Sequence, residues 1–137
     1  MKGLDSGALR GILEGDPGAR ELLKHLRGVE VATTERTLLE LALLARRGPA
    51  KAQAARRAAV DRLRRKLTVL PIDSRAVAEG VRRAPPSPTA GDLWRLAEWG
   101  ALEANGCDEL FTVARASAGE KWRFKVTRFV VKHPKYR

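Results

Sequence analysis

Five short apolar runs alternate with longer helix-forming stretches, and this alternation is what most constrains the fold. Lys2–Leu4 opens the chain, and VEVA (29–32), TVLPI (68–72), ELFTV (109–113) and KWRFKVTRFVV (121–131) follow. The spacing predicts helices over GALRGILEG, GDPGARELLKHLRG, TLLELALLARR, PAKAQAARRAAVDRLRRKL, SRAVAEGVRRA and DLWRLAEWGALEAN. Asp16, Thr33 or Thr34, Asp73 or Ser74, and Asp92 stand where N-caps belong, and Pro17 suits a first helical position. On the long Ala-rich helix, Ala52, Ala55, Ala59, Leu63 and Leu67 form one stripe. Strands separated by helices need crossover connections. The expected architecture is therefore a mainly parallel sheet covered on both faces, in one domain spanning residues 1–137. In such sheets function gathers at the carboxyl ends of the strands.

Composition narrows the partners. Lys plus Arg number 27 against 16 Asp plus Glu, a formal charge of +11 that attracts polyanions such as nucleic acid. Arg56, Arg57, Arg62, Arg64, Arg65 and Lys66 crowd one helix, and the basic tail runs from Lys121 to Arg137. A lone Cys107 rules out a disulfide framework and, with only His25 and His133, disfavours a structural zinc site. MKGLDSGALRG lacks the apolar centre of a signal peptide, and no apolar run approaches membrane-spanning length, so a cytoplasmic protein is expected.

Three acids stand out. Glu40 is the single charge in TLLELALLA, and burying an unpaired carboxylate among leucines costs several kcal/mol. A functional carboxylate is expected there, with a buried arginine pair as the alternative. Asp5 follows a strand and precedes a helix; Asp92 opens another. Either can be an N-cap, and either can also offer oxygen to Mg²⁺ or Mn²⁺. Trp94, Trp99 and Trp122 can stack bases, but Trp94 and Trp99 lie in a helix rich in Leu and Ala and suit core or dimer packing better; Cys107 reads as a small buried residue.

In this order the motifs resemble those of the PIN domain family and its small prokaryotic VapC-type toxins. GLDSGALRGILEGD (3–16) resembles the family's opening, ATTERTLLELALL (32–44) its acid within an apolar helix, and GDLWRLAEWGALEANGCDELFT (91–112) its third motif and following strand. The resemblance implies a three-layer α/β/α sandwich and a ribonuclease dependent on Mg²⁺ or Mn²⁺, a homodimer paired with an antitoxin protein. It assigns Asp5, Glu40 and Asp92 as catalytic metal ligands, and it brings Ser6 and Thr112 in as supporting hydroxyls. Arg10 and Arg115 become candidate RNA contacts. The pattern departs after Thr112, where Ala114 and Ala116 replace expected acids, and at Gly7 and Arg10 in the first motif. Glu109 and Glu120 are placed wrongly along the chain to substitute. The departures leave a second expectation open: a catalytically weakened PIN-like module that binds RNA or a protein partner. A basic α/β protein without nuclease ancestry is the third, and it requires the three acids to lie far apart.

Overall fold

The computed structural model describes residues 1–130, so the end of the last expected strand and the basic tail lie outside it. The elements follow as β1 (Lys2–Leu4), α1 (Ser6–Leu13), α2 (Pro17–His25), β2 (Val31–Thr34), α3 (Glu35–Leu44), α4 (Ala50–Lys66), β3 (Thr68–Leu70), α5 (Ser74–Arg83), α6 (Leu93–Ala104), β4 (Glu109–Thr112) and β5 (Lys125–Arg128). A 3₁₀ turn at Ala90–Asp92 leads into α6. The strands form one wholly parallel sheet in the order β3-β2-β1-β4-β5. With helices on both faces this is the PIN-like three-layer sandwich.

One layer packs α1 to α4 on the sheet through Leu4, Leu9, Leu22, Leu26, Val31, Leu41, Val60 and Leu63. The other packs α5 and α6 through Ala32, Leu70, Ala76, Trp99, Leu102 and Leu110. Alternation along each strand makes this division: Val31 and Ala32 are neighbours in sequence yet serve opposite layers. Helices α5 and α6 approach so closely that a Cβ on Gly100 would stand 2.1 Å from the Ala76 carbonyl oxygen. Only glycine permits that contact.

Two local expectations shift. β2 begins at Val31, two residues later than VEVA, because Gly28 takes a positive φ of 74° and the chain is still turning there. Thr33 and Thr34 then complete the strand, and Thr34 caps α3 by accepting from the Thr37 N–H. The α4 stripe also differs: Ala55 is exposed, and Val60 with Leu63 carries the burial. Asp73 and Asp16 cap as expected. Asp16 is fully buried and accepts from the Ala19 N–H at 2.9 Å, so Asp16→Ala should cost about 1.5 kcal/mol in urea unfolding. An unchanged midpoint would show that the cap adds nothing.

Candidate functional site

In the order β3-β2-β1-β4-β5 the chain leaves β1 for one side of the sheet first and reaches the other side later. The switch point therefore lies between β1 and β4, at whose carboxyl ends a crevice opens. Asp5 follows β1 directly, in extended conformation, and accepts from the Ala8 N–H at 3.2 Å as the N-cap of α1. Its other oxygen accepts from the hydroxyl of Thr112, the last residue of β4, so one hydrogen bond closes the switch point. The Thr112 oxygen in turn accepts from the Ala114 N–H at 2.9 Å. Asp5 is only 7% exposed, and burial raises its pKa to about 6 despite these donors. Cap and site residue are one and the same here.

A cleft of about 290 Å³ opens at this point, walled by Asp5, Ser6, Gly7, Arg36, Glu40, Arg95, Glu98, Trp99 and Ala114 among others. Gly7 has a steric reason. A Cβ there would lie 2.5 Å from Val113 Cγ2 on the chain leaving β4.

Glu40 lines the cleft, but not as a buried charge. Its side chain is 49% exposed, and Leu39 and Leu43 beside it are also exposed, so α3 buries a narrower face than its leucines suggest. The expectation of a costly buried carboxylate belongs instead to Glu98, which the sequence reading passed over. Glu98 is 3% exposed, receives Arg36 at 2.6 Å and the Thr37 hydroxyl at 2.9 Å, and burial still raises its pKa. Its signal was the one used for Glu40: a single charge in an apolar stretch, LAEWGAL. Arg36 also reaches Glu40 at 3.5 Å and stacks over Trp94, 5.1 Å from the ring centre.

Asp92 is held differently. Its oxygens take the Thr89 N–H at 2.8 Å, the Thr89 hydroxyl at 3.0 Å and Arg95 at 3.1 Å. The Thr89 N–H and then Arg95 keep its carboxyl below the usual range. It stands at the N-cap position of α6 yet makes no cap bond to that helix, and it does not wall the cleft. Arg95 does, gripped by Glu120 at 2.5 and 2.7 Å and seated over Trp99 at 4.8 Å from the ring centre. Although distant along the chain, Glu120 returns to the edge of the site. Its side chain is enclosed, and burial opposes its charge, but Arg95, Trp122 and the Ser117 N–H hold its pKa down. Arg10 and Arg115 are exposed and stand outside the cleft wall. Cys107 is buried, which pushes its thiol up to about 11 and leaves it unreactive at neutral pH.

Mg²⁺ and Mn²⁺ require several oxygens converging on one point. Among the described residues no three Asp, Glu, His or Cys side chains are placed to hold an ion together. Asp5 feels the charge of Glu98, but Glu98 is committed to Arg36 and Thr37, and Asp92 to Thr89 and Arg95. The donor set as arranged does not fit the cation. No described helix is long and apolar enough to cross a membrane.

Solved structures share this architecture. A DNA-bound VapBC from Salmonella typhimurium superimposes with a TM-score of 0.66 at 17% identity, covering 93% of this chain and 96% of the other. VapBC2 from Rickettsia felis, bound to a promoter DNA fragment, gives 0.64 at 12%, covering 93% and 98%. FitAB bound to the IR36 DNA fragment gives 0.66 at 14%, covering 93% and 94%. No curated protein matches by sequence. The profile of the PIN domain matches residues 3–95, which carry Asp5 at the switch point and the acid-bearing helix α3. By that match and this fold, the chain belongs to the PIN domain family.

Proposed function

We propose that the chain is a VapC-type PIN module that holds RNA at the mouth of the β1/β4 cleft and works with an antitoxin protein. The observation that carries this reading is a PIN-type fold on a chain of net charge +11 whose cleft carboxylates, Asp5 apart, are already paired with Arg36 and Arg95 and are not arranged around a cation. The net charge of +11 favours the encounter, and Arg10 and Arg115 add cationic surface near α1 and the end of β4. Within the site Asp5 holds β1 to β4 through Thr112, and Ser6 stands in the wall at the first turn of α1. This is the weakened form of the family's activity.

The rival reading is hydrolysis of RNA by Mg²⁺ or Mn²⁺ on Asp5, Glu40 and Asp92. It is favoured by one observation, that Asp5 and Glu40 share the cleft. Asp92 would have to leave Thr89 and Arg95 to join them.

A second cleft, about 740 Å³, lies between α1, α2 and α4. Its floor includes Ile12, Leu26, Val31 and Leu63, and Arg20, Lys24, Arg27, Arg62 and Lys66 rim it. An antitoxin segment with apolar and acidic side chains matches that lining. Leu39 and Leu43 on α3, Val77 and Val81 on α5, and Leu93 and Trp94 on α6 are exposed and suit a homodimer contact.

The test follows single-stranded RNA by gel retention in EDTA and then with Mn²⁺, scoring both retention and cleavage. Retention that weakens roughly 20-fold between 50 and 200 mM salt, with three phosphates contacted, supports the binding module. Metal-stimulated cleavage that Glu40→Gln abolishes establishes the nuclease instead. Neither retention nor cleavage overturns both.

A further inference from the structure

We infer that Arg95 is the built-in cation of this cleft, standing in for the charge of a divalent ion, so that the unaltered chain does not load Mg²⁺ or Mn²⁺ there. Five carboxylates wall the cleft or reach its edge: Asp5, Glu40, Glu98, Asp92 and Glu120. Two arginines already serve four of them. Arg36 bonds Glu98 and Glu40, and Arg95 bonds Asp92 and both oxygens of Glu120. Asp5 alone has no arginine, and its oxygens are taken by Thr112 and the Ala8 N–H.

A guanidinium carries donors only, so it cannot ligate a cation, and it never loses its charge in the working pH range. Arg95 therefore supplies positive charge while occupying oxygens a metal would need. It is also fastened. Trp99 lies beneath it, so the guanidinium is seated on a buried ring in the cleft wall. Glu120 sits on the segment joining β4 to β5, where the Ser117 N–H and the Trp122 indole fix its carboxylate at 2.7 and 2.8 Å. Swinging Arg95 away breaks a two-pronged enclosed pair and unpins that segment. Loss of the acid expected at Ala114 and capture of Glu120 by Arg95 thus act in the same direction: fewer free oxygens and one fixed positive charge.

The inference rests on the geometry of the acids and arginines and not on RNA as ligand. Calorimetric titration of the full chain with Mn²⁺ tests it, using wild type, Arg95→Met and Arg95→Lys. Methionine keeps apolar contact with Trp99 and removes the charge. Wild type and Arg95→Lys are expected to show no saturable binding up to about 5 mM metal, far weaker than a working carboxylate site. Arg95→Met frees Asp92 and Glu120 and is expected to bind at least about tenfold more tightly. Saturable wild-type binding below about 0.1 mM overturns the inference, and so does a folded Arg95→Met that gains nothing. If Arg95→Met does not fold by circular dichroism, the wild-type and Arg95→Lys titrations decide, since tight binding by either overturns it. Failure to retain RNA leaves these titrations untouched, so the two readings fail separately.

Discussion

Trp99→Ala should lower the stability of the chain by about 4 kcal/mol, the largest loss expected from any single truncation at the site. Trp99 is 1% exposed, and its ring meets Trp122 at 5.6 Å and Phe124 at 6.1 Å in edge-on contacts. It is also the platform for Arg95, so the truncation removes packing and a seat for charge together. Urea unfolding measures it, with Trp94→Ala alongside; Trp94 is 58% exposed and should lose less than about 0.5 kcal/mol. In thermal melts the Trp99 variant should fall by roughly 12–15 °C. Equal losses at the two tryptophans would mean that the α6 layer is not organised around Trp99.

Asp5→Asn should act in the opposite direction and depend on pH. Burial raises the Asp5 pKa from 3.8 to about 6, so folding at neutral pH must keep a carboxylate charged where it prefers a proton. Below about pH 3 the group is protonated in both states and carries no penalty. As pH rises from about 4 to 6, the unfolded chain gives up its proton first, and stability falls by on the order of 3 kcal/mol before levelling off. Asn retains the acceptor for the Ala8 N–H and carries no charge. The variant should therefore be more stable than wild type above pH 6 and indistinguishable from it near pH 3. Equal stability of the two across the range would show that Asp5 is not a strained charge. A stabilising substitution at the switch point is the expected mark of a residue placed for function and not for folding.

Glu98 and Glu40 illustrate how the site became legible in part. Both are single charges among apolar neighbours, and a lone charge in an apolar helix signals either a buried partner or a chemical role. Sequence cannot say which residues share a helix's buried face when leucines cover most of its circumference. In α3 the sheet-facing side takes Thr37 and Leu41 and leaves Leu39, Glu40 and Leu43 outward; in α6 it takes Glu98 with Trp99 and Leu102. The role expected of Glu40 by burial was thus transferred to a residue carrying the same signal.

The layered parallel architecture and the place of Asp5 are written in local patterns of the chain. Short apolar runs separated by helices cannot pair as hairpins, so crossovers and a parallel sheet follow. An acid between a strand and a capped helix must then sit at a strand's carboxyl end. Tertiary structure decided the charge pairing. Arg36 meets Glu98 across 62 positions of chain and Arg95 meets Glu120 across 25. Such pairs depend on which helix faces meet across the cleft and on where the segment after β4 turns back, and local periodicity encodes neither. The loss of an acid at Ala114 can be read directly from the sequence; that Arg95 holds Asp92 and Glu120 is visible only in the fold.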